Sequence, residues 1–184
     1  MTNTETCMRE MRCIASMFGQ CASLNEQWIL FKAYLSTAHS LQDNDPDAKQ
    51  FFKSDGLLDF SLVLRNIIHH QPAKMHYGKH HVQPTGFSFS FGEAQPTKFE
   101  AKFSLVIEKE TLKNVELQQV LGKKYPKQLV ILNNTLENIH SHVIYVQAVI
   151  EQMQSKIEEF CKSKNKYTKA FDSEPLGFVL TKNV

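Results

Sequence analysis

Cys7, Met11, Ile14, Phe18 and Cys21 recur at steps of four and three, the spacing of one helical face, and predict a first helix. A second follows in "SLNEQWILFKAYLSTAHSL", with Leu24, Trp28, Phe31 and Leu35 on one side. Ser23 stands at its N-cap, and Glu26 three residues on completes a capping box. "QDNDPDA" (42–48) reads as a turn. Asp45 before Pro46 then opens a short helix through Phe51 and Phe52, because proline suits the first helical position. After a turn at Ser54, Asp55 and Gly56, apolar residues at 57, 58, 60, 62, 63, 64, 67 and 68 cover most of a helix circumference. That predicts a central helix over Leu57 to His70, stopped there because Pro72 disfavours helical backbone at Gln71.

The period then changes to two. "GFSFSFGE" alternates Phe87, Phe89 and Phe91 with small polar residues, and "KFEAKFSLVIE" sets Phe99, Ala101, Phe103, Leu105 and Ile107 on one face. The expectation is a β-hairpin over about 86–108, closed near Glu93 to Lys98. A lone hairpin is marginal in water, so its phenylalanine face must pack on the helices or on a partner. A short helical stretch around Leu112 to Leu121 leads to "YPKQ". From there Leu129, Leu132, Leu136, Ile139, Val143, Val146, Ile150, Met153, Ile157 and Phe160 alternate steps of three and four. This heptad-like seam predicts one helix of about 50 Å. Such a seam serves either as the core of an antiparallel bundle or in self-association. A basic, exposed tail is expected over 162–184, closing in an extended apolar piece, "EPLGFVLTKNV". The whole reads as a mainly α fold, an antiparallel helical bundle with a β-hairpin insertion, in one domain over 1–184.

Composition narrows the function classes. Hydrophobic residues make up 42% of the 184, enough for a real core. A net charge of +2 requires any nucleic-acid site to be local. Cys7, Cys13, Cys21 and Cys161 form no CxxC pair, which argues for buried free thiols in a reducing cytoplasm and against a disulfide framework or zinc ribbon. No apolar run approaches the ~20 residues of a membrane span. The start "MTNTETCMRE" lacks an apolar signal core, so a soluble, cytoplasmic protein with no membrane partner is expected. GxxxxGK, GxGxxG and GxSxG are all absent from the sequence.

The chemistry concentrates in "RNIIHHQP", residues 65–72. At about 100° per residue, Arg65 lies one turn below His69, Asn66 lies one turn below His70, and Arg65 and His70 stand about 140° apart. One account is structural: histidine suits a helix C-terminus, and arginine pairs with an acid such as Asp59. The other is catalytic. The stretch resembles the HEPN superfamily, whose signature is an arginine, four to six residues, then a histidine. Arg65 and His70 match it, Asn66 takes the commonest polar choice after the arginine, and "LVLRNIIHHQ" is similar to the "LRN…H" helix of HEPN proteins in abortive-infection and toxin systems. The resemblance covers the helical parts, residues 1–72 and 110–162; the hairpin departs from a minimal HEPN bundle.

This resemblance implies a metal-independent endoribonuclease needing no cofactor, in which the RNA 2′-hydroxyl is the nucleophile. Arg65 would hold phosphate oxygens and stabilise the transition state, His70 would move protons, and Asn66 would support either. One histidine serves poorly for both proton transfers, so the resemblance further implies a homodimer or a second HEPN partner, and in a toxin setting a cognate antitoxin. Lys74, Tyr77 and Lys79, with His69, read as an RNA-binding loop beside the site, with Tyr77 free to stack on a base. The alternatives are a solvated loop, or a metal held by His69, His70, His76, His80 and His81, although no cysteine or carboxylate lies among them. Lys123, Lys124 and Lys127 read as a solvated face or an RNA-facing one. The competing function is a non-catalytic HEPN-like module for RNA or protein binding and dimerisation.

Overall fold

A hydroxyl and two carboxylates start successive helices. Ser23 Oγ accepts the Glu26 amide at 3.5 Å, Asp45 Oδ1 accepts the Asp47 and Ala48 amides at 2.8 and 3.3 Å, and Asp55 Oδ1 accepts those of Leu57 and Leu58 at 3.0 and 3.1 Å. Each cap satisfies donors that the first turn of a helix leaves unpaired. The computed structural model describes residues 3–21, 23–71, 75, 77–82 and 102–164, with backbone alone for 79–82 and 102–103. In it these caps separate α1 (Asn3–Phe18), α2 (Leu24–Asn44), α3 (Pro46–Ser54) and α4 (Gly56–His70). There follow β1 (Tyr77–Val82), β2 (Lys102–Glu108), α5 (Lys109–Leu112), α6 (Val115–Lys124), α7 (Pro126–Asn138), β3 (Val143–Tyr145) and α8 (Val146–Lys164).

The fold is a mainly α helical bundle with a small antiparallel sheet ordered β1-β2-β3, as the two periodicities predict. α4 is central. Leu58, Phe60, Val63, Leu64 and Ile67 are at most 1% exposed, which explains its nearly all-round apolar pattern. It packs against α2, α3, α7 and α8. It ends where Pro72 requires, with the Gln71 amide reaching back to the Ile67 carbonyl at 2.7 Å. Leu105 and Ile107 of β2 join the core formed by α1, α2, α4 and α8, while Val106 on the opposite face is also buried.

Three expectations need correction. The hairpin exists, but β2 pairs with Tyr77–Val82, with Tyr77 opposite Ile107 and Val82 opposite Lys102. The stretch expected to be a histidine-rich loop is therefore a strand from Tyr77 onward. The ladder pairs the backbone groups that face β2, and Tyr77 buries a ring face on α2. The expected first strand, Phe87 to Phe91, and the turn at 93–98 lie outside the described residues, as does most of the basic tail.

The third correction concerns the seam, which is two helices rather than one. α7 ends at Asn138, and Val143–Tyr145 pairs with β2 before α8 begins. Lys109 holds the break from both sides: its ammonium donates to the Ile139 carbonyl at 2.6 Å and its amide to that of His142 at 2.9 Å. The β-branched run Val143-Ile144, followed by Tyr145 and Val146, suits an extended backbone better than a helix. The seam's spacing survives the break. Leu132, Leu136, Val146, Ile150, Met153, Ile157 and Phe160 are all buried in the bundle.

Candidate functional site

α4 changes character over its last turn and a half. Ile67 and Ile68 stay buried, Arg65 and Asn66 are half-buried, and His69 and His70 are exposed. Arg65 Nη1 donates to Asn66 Oδ1 at 3.0 Å, tying the guanidinium across the polar strip. Its Nε is buried without a hydrogen-bond partner among the described residues. No carboxylate among the described residues pairs with it. Asp59, the acid that a structural role for Arg65 called for, is instead pushed above its usual value by burial and is faced by Lys53. Among the described residues Arg65 therefore has no carboxylate partner at a half-buried position, an arrangement a purely structural arginine avoids.

The strip opens on two sides of α4. On one side Asn66, His70 and Gln71 line a cavity of about 120 Å³ with Lys124 and Tyr125. The His70 ring lies 6.2 Å from the Tyr125 ring at an interplanar angle of 19°. On the other side Arg65 and His69 line a cleft of about 230 Å³ with Lys32 and Ser36 of α2. The His69 and His70 rings meet nearly edge to face, with centroids 4.8 Å apart, across the ridge between the two cavities. Among the described residues no carboxylate lines either one.

Tyr125 reaches His70 because it is the hinge between α6 and α7. Its amide closes α6 onto the Leu121 carbonyl at 2.6 Å, and Pro126 begins α7, which packs along α4. Of the lysines at 123, 124 and 127, Lys124 lines the His70 cavity. The sequence signal for Tyr125 was an aromatic directly before a helix-starting proline, flanked by lysines. Lys32 and Ser36 lie one turn apart on α2, and nothing in their spacing marks them until α4 is set beside them.

The proposed RNA-binding loop fares differently. Lys74 lies outside the described residues, and of Lys79 only the backbone is described, opposite Leu105 in the sheet. Tyr77 is not free on both faces. Its ring stacks on Trp28 at 4.5 Å, and its hydroxyl donates to Asn25 Oδ1 at 2.9 Å. Tyr77 remains 36% exposed, and Trp28, on which it stacks, lies one turn before Lys32 on α2. Among the described residues no three His, Cys, Asp or Glu gather as metal ligands, and His76 and the side chains of His80 and His81 lie outside that description.

Among the described residues no helix is long and apolar enough to cross a membrane. Comparison with known proteins finds no matching family model, no matching curated protein and no matching solved structure.

Proposed function

We propose that this protein is a HEPN-like, metal-independent endoribonuclease of the cytoplasm, acting as a homodimer in a defence or toxin role and held in check by a cognate antitoxin. The observation that carries the reading is the half-buried Arg65, bound to Asn66 and, among the described residues, to no carboxylate, below two exposed histidines at the end of its helix. Such an arginine is available for a phosphodiester. Arg65 would contact the non-bridging oxygens and stabilise the charge that develops on them. His70 would take the 2′-proton or protonate the leaving 5′-oxygen, and a second protomer would supply the complementary group. Asn66 would keep the guanidinium oriented.

The test is incubation of purified protein with mixed-sequence RNA in EDTA, beside His70→Ala and Arg65→Ala. Each variant is expected to lose at least ~10² in rate with its helicity kept. Products should end in 2′,3′-cyclic phosphate or 3′-phosphate. Loss of helicity in either variant would return Arg65 and His70 to a structural role.

One observation favours a second reading. Arg65 and His70 line cavities on different sides of α4, as a strip that binds RNA or a protein partner without cutting would also do. A dimer that binds RNA at every pH tried yet leaves it intact would establish that non-catalytic module.

A further inference from the structure

Two helices present matched pairs of polar residues across one cleft. Lys32 and Ser36 are one turn apart on α2, and Arg65 and His69 are one turn apart on α4. All four side chains carry N–H or O–H donors, and among the described residues no carboxylate lines the cleft of about 230 Å³ between them. Leu35 and Ile68 form an apolar floor that lowers the local dielectric and strengthens each charge above it. The Arg65 guanidinium is fixed on one side, with Nη1 engaged by Asn66 and Nε buried without a partner among the described residues.

We propose that this cleft is a phosphate-binding cradle in which Lys32 and Ser36 of α2 complete the site begun by Arg65 and His69. Its ligand is one phosphodiester of single-stranded RNA. Two cations and two further donors around an open cleft match the several acceptor oxygens of a phosphate, and the planar guanidinium supplies a direction as well as a charge. The Trp28–Tyr77 stack stands one turn before Lys32, where a base next to that phosphate would meet an aromatic edge. The choice of RNA as ligand rests on the ribonuclease reading; the assignment of Lys32 and Ser36 to a phosphate does not.

The test uses the whole protein and a 2′-O-methyl RNA oligonucleotide, which lacks the attacking hydroxyl and so reports binding without cleavage. Affinity is measured by fluorescence anisotropy over a range of salt for the wild type, Lys32→Ala, Ser36→Ala and Lys49→Ala, the last an exposed α3 lysine outside the cleft. The Arg65 Nε–H resonance is followed by NMR during titration with the oligonucleotide and, separately, with inorganic phosphate. Lys32→Ala is expected to bind about tenfold more weakly, with a salt slope smaller by ~0.7, and Lys49→Ala to match the wild type. The Arg65 Nε–H signal is expected to shift saturably with the oligonucleotide. A matching shift with inorganic phosphate shows that the cradle takes a lone phosphate. A shift with the oligonucleotide alone shows that it needs the RNA chain, and either result supports the cradle.

Unchanged affinity in both Lys32→Ala and Ser36→Ala, or an Arg65 signal that moves with neither ligand, overturns it. Cutting of unmodified RNA together with that result leaves the ribonuclease standing and the cradle refuted. Tight, Lys32-dependent binding without any cutting does the reverse.

Discussion

Arg65 Nη1 donates to Asn66 Oδ1 at 3.0 Å, a bond between sequence neighbours whose side chains leave α4 in different directions. It spans the ridge separating the Arg65 cleft from the His70 cavity, so Asn66 governs where the guanidinium points. Asn66→Ala is expected to leave stability within about 0.5 kcal/mol, since the residue is only half-buried, and to slow RNA cleavage about tenfold through a loosened arginine. Asn66→Asp should be worse, near ~10², if the proposed ribonuclease reading holds, because a carboxylate in direct contact would neutralise the charge that reading assigns to phosphate. Turnover measured beside thermal melting separates the two variants, and an Asn66→Asp enzyme as fast as wild type would remove Arg65 from the reaction.

His70 is exposed and sits at a helix end, where an imidazole turns freely unless something orders it. Two rings flank it, His69 edge to face at 4.8 Å and Tyr125 near parallel at 6.2 Å between centroids. Tyr125→Leu should keep α6 and α7 folded while lowering turnover about tenfold, with substrate affinity little changed. Tyr125→Phe should retain most activity, because the ring rather than the hydroxyl faces His70. Equal losses in both variants would shift the role to the hydroxyl.

The elements around this site differ in how well they could be read from the chain. The body and end of α4 were legible, because its apolar pattern and Pro72 depend on local chemistry; Asp55, read as part of a turn, is in fact its N-cap. The Arg65, Asn66, His69 and His70 strip followed from the same helix geometry. Lys32, Ser36, Lys124 and Tyr125 did not, because each becomes relevant only when another helix is packed beside α4. The break at 139–142 was hidden for a related reason. A seam of threes and fours continues across it, and the Lys109 bonds that hold it open come from thirty residues away. That Tyr77 stacks on Trp28 was not legible either, because the two lie 49 residues apart and meet only when β1 packs on α2.

Asp55 and Asp59 stand one turn apart at the start of α4 and respond to pH in opposite senses. Burial alone would raise the Asp55 carboxyl, but the Lys156 ammonium and the Leu58 and Leu57 amides together hold it below its ordinary 3.8. Its contribution is therefore present above that value and is lost as pH falls through the lower folded one. Burial raises Asp59, against a weaker pull from Lys53, so its ionised form costs stability once pH rises through its folded value. Asp55→Ala, which removes the cap and the ion pair to α8, should cost about 1–2 kcal/mol near neutral pH. Asp55→Asn keeps a capping oxygen and should cost less. Asp59→Asn should equal or exceed the wild type at neutral pH and lose that advantage in acid. Urea denaturation across the acidic range checks all three.

The thiols supply a separate readout of the bundle. Cys161 Sγ lies 3.3 Å from Met8 Sδ, joining α8 to α1. Burial pushes this thiol up to about 12, and it also raises Cys7 and Cys21. Since the thiolate is the reactive form, Cys161 at pH 8 carries only about one part in ten thousand of it. Half-buried Cys13 should alkylate first with iodoacetamide, and Cys161 only when urea unfolds the chain, as mass spectrometry of timed samples would resolve. Fast native labelling of Cys161 would mean that the end of α8 separates from α1 well below the free energy of global unfolding. Lys156 lies on the same helix, so the Asp55 ion pair would then loosen with it, and Asp55→Ala would cost little more than the lost cap.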